Sequence, residues 1–376
     1  MGRYPSAGRA GPGRRFGLVV AGVLAGAVLL ASCSSGASSS AGPSTTRAPS
    51  TTSAPTTSRP QGPSITVMTR NLYFGADLSP LFHDTTADLA ADATAAYDQL
   101  QASDPPARLE AVANEVAGAK PDLVALQEAV IWSVLAPGAK AATVRYDFVK
   151  LLLADLHHLG QSYEVAASSN GFSGGLPVPG VGLVALQDRD VILVKTSEAG
   201  MVSQPRAGPY HHVLTVSVAG VPITVKRGWA SIDVNMQGRR FRVIATHLEA
   251  YSNPTRDAQA AELLSLVKSS SLPTLVLGDV NSPASGAGDA TYLMMRRAGL
   301  GDAWAAAHPG EPGYSCCRAA DLRSGVLNQR IDMIFTRGGF EVLSASLVGV
   351  TASDRTPSGL WPSDHAGVVA TLVPPG

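Results

Sequence analysis

LPTLVLGDVNSPASG, residues 272–286, changes character halfway. Thr274 to Leu277 is apolar and β-prone, as in a buried strand. Gly278, Asp279, Val280, Asn281 and Ser282 then carry a carboxylate and an amide, two residues apart, into a loop. An ordinary turn would account for this, because Gly, Asp and Asn are common turn formers. The sharper reading is a polar site at the carboxyl end of a strand, which requires matching groups elsewhere in the chain.

Working outward, the same change recurs. ITVMTRNL reads as a strand that delivers Asn71, and PDLVALQEAV as one that delivers Gln127 and Glu128. FRVIATHLEA gives His247, QRIDMIFT carries Asp332, and Ser363-Asp364-His365 stands just before the last strand, GVVATLV. Each has a plain explanation by itself. Asn71 would cap a turn, Glu128 would end a strand in solvent, and His247 would be a hydrogen-bonded core histidine. Asp332 would pair with Arg330, and Asp364-His365 would form a surface turn. Taken together and in order, they describe strand ends converging on one rim of a layered fold.

Between these segments, residues 84–117 are Ala-rich, with two helical patches broken at Asp104-Pro105-Pro106. A helix is expected over Ala139–Leu159, followed by a mostly β region from YEVAAS to FRVIATHL. Helices over Pro254–Ser269 and Ala290–Ala298 flank the opening strand. GFSGG (171–175) reads as a Gly-rich mobile loop, since no apolar strand leads into it as a nucleophile elbow would require. No repeat of roughly 20 to 50 residues is visible. The pattern predicts one α/β domain of two packed sheets with helices outside.

The ordered set Asn71, Gln127-Glu128, Thr246-His247-Leu248, Gly278-Asp279-Val280-Asn281-Ser282, Arg330-Ile331-Asp332 and Ser363-Asp364-His365 resembles the signature of the endonuclease/exonuclease/phosphatase superfamily. The resemblance spans roughly Ile65 to Val373. It implies a four-layer α/β/β/α sandwich with two mainly antiparallel sheets, and metal-assisted hydrolysis of a phosphoester. By the same resemblance Glu128, with Asn71 through its amide oxygen and Asp364, would hold Mg2+ or Mn2+, hard ions that prefer oxygen ligands. His365 would be a base-like histidine held by Asp332, and His247 would bond a phosphate oxygen or help the leaving group. Asp190, in QDRDVILVK, is the candidate acidic partner of His247. Asp279 would orient or deprotonate the attacking water and Asn281 would bond a phosphoryl oxygen, with the base left open between Asp279 and His365.

The ends of the chain add context. Arg3, Arg9, Arg14 and Arg15 precede an apolar run from Phe16 to Leu30 and then Ala31-Ser32-Cys33. This reads as a lipoprotein signal over residues 1–32 with Cys33 as lipidation site, the alternative being a transmembrane anchor. The run is short for a span of roughly 20 residues, and Arg14-Arg15 leaves twin-arginine export open. Residues 33–64, rich in Ser, Thr, Ala, Pro and Gly, form a tether, and 65–376 the folded domain. Cys316 and Cys317 fit no ordinary zinc spacing, and in an oxidising compartment a vicinal disulfide is favoured.

Acidic and basic residues balance at 29 each, so overall charge gives no argument for wrapping nucleic acid or coating an anionic membrane. The pairs Lys226-Arg227, Arg239-Arg240 and Arg296-Arg297 read as solvated surface. The substrate class is left between nucleic acid, phospholipid head group and sugar phosphate. An exposed apolar hairpin would favour a lipid, and GLPVPGVGLV (175–184) is the stretch concerned, though it reads first as ordinary loop and core. The helical insertion of residues 84–117, entered from NLYFGADLSPLF (71–82), is expected to shape the substrate pocket. No protein partner is expected and the chain is read as a monomer. A non-catalytic tethered binding module is the alternative.

Overall fold

Period-two alternation of apolar residues organises two sheets back to back. The structure is a computed structural model and describes residues 62–82 and 88–376, which belong to one compact unit, Ser58–Gly376. The signal segment, Cys33, most of the tether and residues 84–87 of the Ala-rich stretch lie outside the described residues. In chain order the strands of the first half are β1 (Ile65–Asn71), β2 (Leu123–Gln127), β3 (Ile131–Leu135), β4 (Thr143–Asp147), β5 (Tyr163–Val178), β6 (Gly182–Lys195), β7 (Val202–Pro209), β8 (Leu214–Val218) and β9 (Val221–Val225). Those of the second half are β10 (Gly228–Met236), β11 (Arg239–His247), β12 (Thr274–Asp279), β13 (Gly301–Asp302), β14 (Asp332–Arg337), β15 (Glu341–Val348) and β16 (Gly367–Val373). The helices are α1 (Leu89–Ala102), α2 (Pro105–Ala119), α3 (Phe148–His158), α4 (Asn253–Lys268), α5 (Thr291–Arg297) and α6 (Ala303–Ala307).

One sheet runs β15-β16-β1-β2-β6-β3-β4, with β5 also paired to β6; the other runs β13-β14-β12-β11-β10-β7. Strands β8 and β9 form a separate hairpin. Successive side chains of a strand point to opposite faces. Ile65, Val67, Leu123, Ala125, Ile192 and Val194 therefore meet Ile232, Val243, Ala245, Leu275, Leu277 and Ile334 in the core between the sheets. The alternate residues pack outward: Met68, Val124 and Leu126 against α1–α3, and Ile244 and Val276 against α4 and α5. This is the expected four-layer sandwich.

Most strand pairs are antiparallel, but each sheet contains one parallel pair, β1 with β2 and β11 with β12. Parallel strands end on the same side, so Asn71 lies opposite Gln127 and His247 opposite Asp279. The antiparallel neighbour β14 starts at that rim, with Asp332 paired to Asp279.

Two local expectations are corrected. The region expected as one helix over 139–159 opens with a strand before its helix. β-branched Thr143 and Val144 start β4, and helix α3 begins only after Asp147, whose side chain accepts from Lys150 N at 3.3 Å and caps it. GFSGG is not a loop but the middle of β5, where a register shift between Asn170 and Ser173 leaves Gly171 and Phe172 unpaired while Gly174 and Gly175 stay paired to β6. The break at Asp104 is as expected: its side chain caps α2 through Ala107 N and Pro105 opens the helix.

Candidate active site

Strand parity decides which side chains meet. Asn71 is two residues beyond Thr69 on the inward face of β1, and His247, Asp279 and Asp332 continue the inward faces of β11, β12 and β14. Asp190 does the same on β6, one step before Ile192. The apolar seam between the sheets thus turns polar at one rim, and all of these groups are buried there.

Asn71 joins the two sheets. Its Nδ2 donates to Glu128 Oε1 at 3.0 Å and to Asp279 Oδ2 at 3.2 Å, while its Oδ1 accepts from Tyr73 N at 2.9 Å. The backbone N–H of Tyr73 can only donate, so it fixes the amide's orientation. That bond takes one of the two acceptor sites of the amide oxygen, and through Nδ2 Asn71 also positions two carboxylates, a role not read from the sequence. Glu128, in a left-handed conformation (φ 54°), takes a second bond from Phe74 N at 2.7 Å. Asp279 Oδ1 accepts from Asn281 N at 2.9 Å, and Asn281 Nδ2 donates to Leu248 O at 2.9 Å, leaving its second amide N–H free of that bond.

The two histidines are held oppositely. His365 Nδ1 lies 2.9 Å from Asp332 Oδ2, as the sequence predicted, and its Nε2 lies 3.8 Å from Asp279 Oδ2. Burial would depress its basicity, but Asp332, Asp364 and Asp279 outweigh that and raise it well above the usual imidazole range. His247 Nδ1 lies 2.9 Å from Arg227 Nη1. A guanidinium only donates, so Nδ1 accepts and the proton of the neutral ring sits on Nε2, 3.6 Å from Asp279 Oδ2. Burial, and then Arg227 and His365, push His247 well below the usual range, keeping it neutral.

Asp190 is brought to the cluster but not to the expected contact. The ring nitrogen it was to hold faces Arg227, and Asp190 Oδ1 is buried without a hydrogen-bond partner. Burial and Asp188 push its carboxyl well up. Arg227 itself escaped the sequence reading, which took Lys226-Arg227 for surface. Lys226 is exposed, whereas Arg227 is buried against His247, Asp188 and Glu249. The signal was its place, directly before a strand whose alternate residues are core. Buried Arg70 also went unread: it pairs with Glu115 at 2.9 Å and donates to the carbonyl of His365 at 2.6 Å, fixing the loop that carries that histidine.

The donor set suits a hard divalent cation. Burial and the nearby Asp364 push the Glu128 carboxyl up to about 8, and burial and Asp332 push Asp279 up to about 6. Glu249 Oε2, Asp188 Oδ1 and Asp332 Oδ1 are further buried oxygens without hydrogen-bond partners. Such a surplus of buried negative charge needs a cation. Among the described residues, Asp279, Asp332 and His365 bring potential ligand atoms within 4.8 Å of one another, as do Cys316, Cys317 and His365. The two cysteines are joined in the expected disulfide, which leaves them poor ligands, and Cys316 Sγ rests 3.5 Å from His365 Nε2.

Comparison with known proteins agrees with this reading of the fold. The Endonuclease/Exonuclease/phosphatase family matches residues 71–365, from the amide that joins the sheets to the histidine held by Asp332. The chain belongs to that family, a class of phosphoester hydrolases that typically use a divalent metal. Among solved structures it is similar to an endonuclease/exonuclease/phosphatase family protein from Leptotrichia buccalis (16% identity, TM-score 0.53, covering 82% of this chain and 99% of that one). It is also similar to one from Bacteroides thetaiotaomicron (17% identity, TM-score 0.51, covering 84% and 99%). These likenesses show the fold. No curated protein matches the chain.

Proposed function

We propose that this chain is a divalent-metal-dependent phosphoester hydrolase of phosphodiesterase or nuclease type, acting outside the cytoplasm as a monomer tethered through lipidated Cys33. The observation that carries the catalytic part is the Asn71 amide, which holds Glu128 of one sheet and Asp279 of the other in a single cluster beside the Asp332–His365 pair. The tether rests on the sequence of residues 1–64. Among the described residues no helix is long and apolar enough to cross a membrane.

Glu128 and Asp364 would hold Mg2+ or Mn2+, which when bound supplies positive charge for the phosphoryl oxygens. The chain's own groups do the rest. Asp279 Oδ2 and His365 Nε2 lie 3.8 Å apart, so both can act on one attacking water. Asp279 takes the proton as the water oxygen attacks phosphorus and the ester P–O bond opposite breaks. His365, kept cationic by Asp332, offsets the growing negative charge, and the departing oxygen is protonated from solvent. His247, neutral with its proton on Nε2, donates a hydrogen bond to a phosphoryl oxygen, and Asn281 supplies another from its remaining N–H. Arg227 fixes the His247 tautomer.

Hydrolysis of bis-p-nitrophenyl phosphate tests this reading. Turnover is expected with Mg2+ or Mn2+, abolition by chelator, and loss of about 10²–10⁴-fold in His365→Ala. A well-folded protein inert with every metal would instead support the tethered binding module.

A further inference from the structure

The wall next to the phosphoester site is apolar and hollow. A cavity of about 190 Å³ opens beside it, and its boundary includes Arg227, which touches His247, and Asp188, which pairs with Arg227. Phe74 links the two places directly: its N–H bonds Glu128 Oε2 at 2.7 Å while its side chain lines the cavity. The remaining wall comes from three segments. Leu78 and Leu81 follow Phe74 out of β1, Ala96 stands on α1, and Leu176 and Val184 come from the β5–β6 pair. Hairpin β8–β9 closes it with Val218 and Ile223, and exposes Val221 at its turn.

We propose that this cavity receives the hydrocarbon arm of an amphiphilic phosphoester whose phosphate sits at Glu128, Asp279 and His247. The proposal rests on the hydrolase reading above and adds the substrate class. An engineered apolar cavity of about 150 Å³ stays dry and admits benzene, so this one takes more than a single aromatic ring. A nucleobase would bring donors and acceptors that need partners. The wall offers few: the indole N–H of Trp132 is already spent on the Phe74 carbonyl at 2.8 Å and Arg227 is committed to His247 and Asp188, which leaves the Asp188 carboxylate and the hydroxyls of Ser173, Tyr97 and Tyr251 as its other polar groups. A hydrocarbon chain needs none. Residues 71–82, the helical insertion they lead into, through Ala96, and residues 175–184 all contribute to this one wall.

The test compares methyl, butyl and octyl p-nitrophenyl phosphates, the last below its micellar concentration, with the p-nitrophenyl ester of thymidine 5′-phosphate. Calorimetric binding of octylphosphonate and methylphosphonate runs in parallel. Both kcat/KM and affinity are expected to rise about tenfold or more from methyl to octyl. Ala96→Phe, which fills the cavity, is expected to bring both ratios near about one, because little apolar surface is then left to bury. A flat alkyl series, or a nucleoside ester faster than the octyl ester, overturns the proposal. If nothing is hydrolysed, bis-p-nitrophenyl phosphate included, the hydrolase reading fails. The phosphonate pair still decides the cavity: equal affinities overturn it, and tighter octyl binding that Ala96→Phe abolishes supports it.

Discussion

His365 and His247 lie within a few ångströms of the same carboxylate, yet their neighbours drive them apart: Asp332 favours the imidazolium of one, Arg227 the neutral ring of the other. Opposed environments of this kind divide labour between two identical side chains. Asp332 positions and charges His365 without needing to touch substrate. In Asp332→Asn the histidine loses that support, so its proton leaves at lower pH. We expect kcat to fall by about 10²–10⁴-fold. The high-pH limb of the rate profile should also move to lower pH. An unshifted profile would reduce Asp332 to a packing role. At this scale most of the site was readable, because polar residues interrupting an apolar period-two face stand out. Arg227 and Arg70 did not, since a buried arginine looks like a surface one until its distant acceptors are known. Asn71 was placed at the rim, but its bonds to both carboxylates were not readable, because they join residues far apart in the chain.

Strand β12 is the element on which the reading began. A Cβ at Gly278 would collide with the Thr246 carbonyl oxygen of the parallel neighbour β11. The glycine allows the two backbones to approach at the step just before Asp279 and His247. Gly278→Ala is therefore expected to lower stability by about 1–3 kcal/mol and to depress turnover beyond what the melting temperature alone explains. Thermal melts and kinetics below the transition check both.

Another connection joins α4 to the segment before β8. Burial nudges the Glu262 carboxyl up, but hydrogen bonds from the backbone and rings of His211 and His212 bring it down to about 2. A depressed carboxyl stabilises the fold fully above its unfolded value of 4.5, and that contribution fades as pH falls towards about 2. The melting-temperature gap between wild type and Glu262→Gln should thus be largest near neutral pH and close between those values. A gap independent of pH would contradict the assignment. The elements misread from sequence share a cause. In residues 139–159 and in GFSGG, pairing with the adjacent strands β3 and β6 overrode the composition of the segment itself.

For the molecule as a whole, two layers with helices outside followed from alternation in the strands, and the rim followed from their polar ends. What alternation could not supply is which strands run parallel. That depends on pairings such as β1 with β2, more than fifty residues apart in the chain, and these carry the chain ends to a common edge. The bond from Asn71 to Asp279 is laid across the seam between the layers. Neither layer owns the reacting centre. Each contributes half of its donors, and the two halves are mated only while the layers stay seated on one another. The surfaces farthest from the rim are therefore as much a part of the catalyst's alignment as the groups at its edge.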